Sequence, residues 1–166
     1  MVAGSLMERS KFKWKTFLLC IIIPLGAGLL SVLLNISAFS SYKKLTLPPL
    51  SPPGQVFSIV WSVLYLLMGI SCYLIVTATA ERERRMDALF TYGIQLFVNI
   101  LWPVLFFNLK AYLLAFVWLI YLWVLVLRMI FQFHHIRCLA AYLQVPYLLW
   151  CIFAAYLNLS VYLLNP

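Results

Sequence analysis

The chain has 166 residues, of which 66% are hydrophobic and only 10% charged, with a formal net charge of +8 and a mean hydropathy of +1.02. Soluble domains carry about 25% charged and about 45–50% apolar residues, so a water-soluble globular fold is excluded and the chain belongs in a membrane. The positive charge does not read as a nucleic-acid footprint, because the basic residues flank apolar runs, where anionic lipid headgroups lie.

A helix needs about 20 apolar residues to cross the hydrocarbon. Five runs meet that length, near 17–39, 56–79, 88–108, 111–130 and 139–164, and none contains an acidic residue. The first run is too long for a signal-peptide core and lacks a small-residue cleavage pattern behind it, so it reads as a span. Alternating segments of about 10 residues, the mark of a transmembrane barrel, do not occur. The expected fold is an all-α, five-transmembrane-helix bundle, with residues 1–16 as a basic cytoplasmic segment and 17–165 as the membrane domain.

Taken in chain order, the first span places Pro24, Gly28, Ser31 and Asn35 on one face, a small and polar stripe suited to close helix packing. A proline-rich loop at 43–55 follows. Pro48, Pro49, Pro52 and Pro53 stiffen its path into the second span, with Ser51 as an expected helix cap. That second span carries Ser58, Trp61, Tyr65, Gly69 and Cys72 on a stripe. The third carries Gln95, Asn99, Trp102 and Phe106, and amides inside hydrocarbon must face the bundle or a cavity. The fourth has no amide in its apolar run and is expected to show its surface to lipid or to a second subunit; its short connection from the third makes the two antiparallel neighbours. In the fifth span Tyr147, Cys151, Ala154 and Asn158 share a face, with Trp150 on the adjoining ridge.

Lys and Arg near the span ends divide nine to three in favour of the N-terminal side. By the positive-inside rule the N-terminus is cytoplasmic. The expected compartment is the bacterial plasma membrane, with the mitochondrial outer membrane as the alternative. Cys20, Cys72, Cys138 and Cys151 are scattered, and His134 and His135 are adjacent, so no metal site is assigned. The acids Glu8, Glu81, Glu83 and Asp87 all lie near one surface, which disfavours a proton-coupled carrier using a buried carboxylate, and no catalytic residue is assigned. Aromatic and amide stripes on four helices describe either a pocket for a large apolar ligand or a structural core, and periodicity alone does not choose between them.

The segments SPPGQVFSIVWSVLYLLMG (51–69), QLFVNILWPVLFF (95–107) and VPYLLWCIFAAYLNLSVYLLN (145–165) together resemble the translocator protein family, also called TspO/MBR or the peripheral-type benzodiazepine receptor family. The likeness covers roughly residues 17–165. It implies a five-helix bundle, often a homodimer, whose cavity beneath the first long loop binds tetrapyrroles such as protoporphyrin IX or a haem-like relative, and in some members sterols or isoquinoline carboxamides. No cofactor is required.

Carried over residue by residue, the resemblance implies ligand contacts at Trp61, Tyr65, Asn99, Trp102, Pro146, Tyr147, Trp150, Ala154 and Asn158, under a lid formed by Leu50, Pro52 and Pro53. Family members often carry tryptophan where this chain has Leu50. That residue has been linked to light-dependent porphyrin degradation, so its absence weakens the expectation of that activity more than that of binding. Receptor or sensor is the leading expectation, and a transporter or delivery protein for porphyrin, sterol or another lipophilic ligand is the alternative.

Overall fold

The structure is a computed structural model that describes residues 12–36 and 45–165. Arg9, Lys11, Lys43 and Lys44, the end of the expected first span and the start of the expected 43–55 loop lie outside these residues. Among the described residues five helices are long and apolar enough to cross a membrane, as expected. Helix α1 is Trp14–Leu34, α2 is Gly54–Val76, and α3 is Arg82–Pro103, which continues through a π-helical turn at Val104–Asn108. The fourth crossing is α4, Tyr112–Ile136. The fifth is divided into a short α5, Cys138–Tyr142, and a long α6, Val145–Leu164.

Helices α3 and α4 reach further than hydropathy indicates. Helix α3 begins at Arg82 and not near 88, and α4 runs to Ile136 and not to 130. A helix satisfies its backbone internally and can continue past the hydrocarbon, where exposed Arg82, Arg84 and Arg128 meet headgroups and water. Ser51 does not cap α2. Its Oγ and its N–H both donate to the Pro48 carbonyl, at 2.8 and 3.3 Å, closing a turn in which Leu50 has φ 69°. The helix starts later, at Gly54, with Pro53 in the cap position.

Helices α1 and α2 pack together, as do α3 and α4, and α4 and α6. The short α3–α4 connection does make those two antiparallel neighbours. Helix α4 is more than a lipid-facing helix: Ala115, Leu119, Leu122, Val126, Met129 and Phe133 form a buried stripe, and the Trp118 indole N–H donates to the Val98 carbonyl at 2.9 Å. Its opposite face, with Leu113, Val117, Ile120 and Val124, is exposed and apolar, as a lipid-facing surface requires.

The α1–α2 contact depends on a proline and a glycine together. Pro24 has no N–H, so the Cys20 carbonyl lacks its usual helical donor. Gly69 of α2 sits against that carbonyl: a Cβ at Gly69 would fall 2.8 Å from Cys20 O and 2.9 Å from Ile21 Cα. A turn further along, Gly28 leaves room for the Tyr65 ring, whose Cδ2 would lie 2.7 Å from a Cβ there. Gly69→Ala should therefore force the two backbones apart and cost about 1–3 kcal/mol. Gly93→Ala, in open space, should leave stability unchanged or raise it by up to about 1 kcal/mol. Denaturant unfolding in detergent micelles measures both, and equal losses would mean that the α1–α2 approach is not sterically limited.

Candidate functional site

A cavity of about 370 Å³ lies between α1, α2, α3 and α6, in the half of the bundle away from the N-terminus. Its walls arise from local features of each helix. Pro103 removes the N–H that would bond the Asn99 carbonyl, and the π-helical turn that follows widens α3 just where Phe106 and Phe107 enter the wall. From α2 come Phe57 and Trp61, with ring centroids 6.1 Å apart, and Tyr65, 5.4 Å from Trp61. Across from them Trp102 stacks on Phe106 at 5.3 Å. Gly28, Ser31 and Asn35 of α1 and Ala154 and Asn158 of α6 supply small and polar faces, and among the described residues no charged one lines the space.

Below the cavity the polar groups of three helices bond to one another. Asn99 accepts from the Tyr65 hydroxyl at 3.3 Å, and its Nδ2 donates to the Tyr147 hydroxyl at 2.6 Å. Tyr147 in turn donates to Gln95 Oε1 at 3.1 Å. A second rung lies one turn along α3, where the Trp102 indole N–H donates to Asn158 Oδ1 at 3.1 Å and Asn158 Nδ2 donates to the Tyr112 carbonyl at 2.8 Å. These bonds fix the ring orientations of Tyr65 and Trp102 before any ligand arrives.

The loop before α2 is strapped to the end of α6. Thr46 N–H donates to Asn165 Oδ1 at 3.0 Å, and Asn165 Nδ2 donates back to the Thr46 carbonyl at 3.1 Å. The Tyr156 hydroxyl donates to the Pro49 carbonyl at 3.1 Å. These ties hold the loop so that Pro52 reaches the cavity wall.

Of the residues expected at the site, Pro52, Trp61, Tyr65, Asn99, Trp102, Ala154 and Asn158 line the cavity. Tyr147 does not; it is only 1% exposed and acts beneath the cavity as the link between Asn99 and Gln95. Pro146 and Trp150 border a separate apolar groove of about 490 Å³ on the outside of the bundle, with Ile59, Val63 and Phe153. Trp150 touches a wall residue, Phe57, in a tilted ring contact with centroids 5.8 Å apart. Leu50, 79% exposed, and Pro53 do not line the cavity either. Phe57, Phe107 and Pro103 also line the cavity; the helical stripes read from sequence do not mark them, although a proline inside a span is itself the sign of a local break in the helix. Among the described residues no three His, Cys, Asp or Glu side chains come together as a metal site.

Comparison with known proteins places these elements in context. The model of the TspO/MBR family matches residues 20–164. A tryptophan-rich protein TspO of Chlorobaculum tepidum is 30% identical over 152 residues, covering 91% of this chain and 96% of the relative. Protein CrtK of Rhodobacter capsulatus is 34% identical, over 75% of this chain and 78% of its own. The translocator protein of Ovis aries is 34% identical over 72% of both chains.

Tyr147→Phe removes one hydroxyl but leaves two amide atoms, Asn99 Nδ2 and Gln95 Oε1, without their partner in an apolar interior. It should destabilise the protein by about 2 kcal/mol, while Tyr65→Phe, which orphans one acceptor, should cost about 1 kcal/mol. Unfolding of both variants in micelles checks the order, and a Tyr147→Phe protein as stable as the parent would show that the chain of bonds carries no load.

Proposed function

This chain belongs to the TspO/MBR family, and on that premise we propose that it is a membrane receptor or sensor whose cavity takes a tetrapyrrole such as protoporphyrin IX. The observation that carries the reading is a prearranged space, without a charged group among the described residues that line it, with Trp61 and Tyr65 on one wall and Trp102 and Phe106 on the other. Flat aromatic ligands gain about 0.5–1.5 kcal/mol per ring contact beyond simple burial. Small-molecule sites typically enclose about 300–1,000 Å³, so a large macrocycle would fill this cavity and keep its carboxylate edge at the mouth, where water and headgroups solvate it.

In the same proposal the loop around Pro52 is the lid, and its ties to Asn165 and Tyr156 are the contacts that opening must break. The excess of Lys and Arg on the N-terminal side supports a cytoplasmic N-terminus in a plasma membrane. A homodimer in lipid, as the family resemblance implies, completes the reading.

A dark equilibrium titration with protoporphyrin IX tests it, following tryptophan quenching and porphyrin absorbance, with an unrelated membrane protein correcting for partition into micelles. Binding should be saturable. Trp61→Leu should weaken it about five- to tenfold, whereas Trp150→Leu, on the outer groove, should change it less than about twofold. Non-saturating uptake equal to that of the control protein would remove the tetrapyrrole reading.

A further inference from the structure

Helix α4 has a charge-free stretch that is short for a membrane crossing. Residues 111–127 lie between Lys110 and Arg128, and at 1.5 Å per residue they rise about 26 Å, against a hydrocarbon core of about 30 Å. The matching stretch of α3, residues 88–109 between Asp87 and Lys110, rises about 33 Å, and those of the other crossings are longer still. Arg128 is therefore drawn inside the edge of the hydrocarbon.

Its neighbours along the helix agree. Leu113, Val117, Ile120 and Val124 form the exposed apolar face of α4, and exposed Arg128 continues that face by one turn. Phe131, 60% exposed, follows on the same face toward the helix end, so the apolar band extends past the guanidinium. Among the described residues Arg128 makes no ion pair and no hydrogen bond. Glu81, Glu83 and Asp87 belong to the start of α3, where Glu81 pairs with Arg84 at 3.0 Å, and α4 itself has no acidic side chain. An arginine that faces lipid without a counter-charge is costly unless its flexible stem carries the head to an anion.

We propose that Arg128 and the apolar ridge beside it seat one anionic phospholipid, its phosphate on the guanidinium and an acyl chain along Val124, Ile120 and Val117. The planar fork of arginine matches two phosphate oxygens at once. From Leu113 to Val124 the ridge runs about 17 Å, close to the depth of one leaflet's hydrocarbon. A zwitterionic headgroup brings its own cation to the phosphate, so an uncompensated arginine favours the anionic lipid. A second copy of this chain is the poorer occupant, because a two-fold contact centred on the ridge would bring two Arg128 side chains together. The seat lies on α4, which does not line the cavity between α1, α2, α3 and α6, and it does not depend on what that cavity takes.

Native mass spectrometry of the full-length protein, released from detergent with phosphatidylglycerol and phosphatidylcholine of identical chains at equal concentration, reads the lipid directly. The parent should retain one phosphatidylglycerol about fivefold more strongly than one phosphatidylcholine. Arg128→Leu should bring that ratio to about one, and Arg128→Gln gives the same reading if the leucine variant does not fold; Arg82→Leu, on the exposed first turn of α3, should leave the ratio within about twofold of the parent. Equal retention of the two lipids by the parent, or a preference that survives loss of Arg128, would overturn the seat. Conversion of dimer to monomer in Arg128→Leu at an unchanged lipid ratio would assign the ridge to a second subunit and overturn it as well.

Discussion

A carboxamide has about four hydrogen-bonding positions, and in hydrocarbon there is no water to occupy them. Asn99 meets that demand by joining three helices: Tyr65 of α2 on its oxygen and Tyr147 of α6 on its nitrogen, from its own place on α3. The remaining architecture follows from this junction. It sets the floor of the cavity and holds Tyr65, and with it Trp61, as one wall. It also aligns α3 so that the next inward turn presents Trp102 to Asn158. The cavity is the space that remains once these side chains have satisfied one another.

Prolines give the bundle its departures from regular helices, and each coincides with a structural need. Pro24 exposes a carbonyl where Gly69 brings α2 close. Pro103 precedes the π-helical turn that swings Phe106 and Phe107 into the cavity. Pro146 sits just after the break between α5 and α6, where its missing N–H leaves Tyr142 without the donor a continuous helix would provide. At the loop, Pro49 supplies a carbonyl to Tyr156 while Pro52 joins the cavity wall. Leu50 adopts a left-handed φ of 69° that suits glycine or asparagine better, and the Ser51–Pro48 turn around it, with the Tyr156 bond to Pro49 just before it, holds it there.

The inward stripes of α3 and α6 were legible in the sequence because an amide inside a span has only one acceptable direction. Gln95, Asn99, Trp102 and Phe106 are all buried, as are Tyr147, Cys151, Ala154 and Asn158. The rotation of an aromatic ridge was not legible. Trp150 lies next to the buried stripe of α6, and in lipid an indole is equally acceptable facing inward or outward, so composition does not say that it borders the outer groove. The role of Tyr147 as a support and not a wall was hidden for a different reason, since it depends on which partners its hydroxyl finds on α3. Helix ends were misjudged wherever charged residues continue a helix beyond the hydrocarbon, as at Arg82, because hydropathy senses the solvent and not the backbone.

The structure of the protein solved with protoporphyrin IX bound is the most direct test of the account. The macrocycle should lie between the α2 wall of Trp61 and Tyr65 and the α3 wall of Trp102 and Phe106, above an intact Tyr65–Asn99–Tyr147 junction. A tetrapyrrole bound instead in the outer groove beside Trp150, or a cavity reached only by breaking the Asn99 bonds, would contradict it.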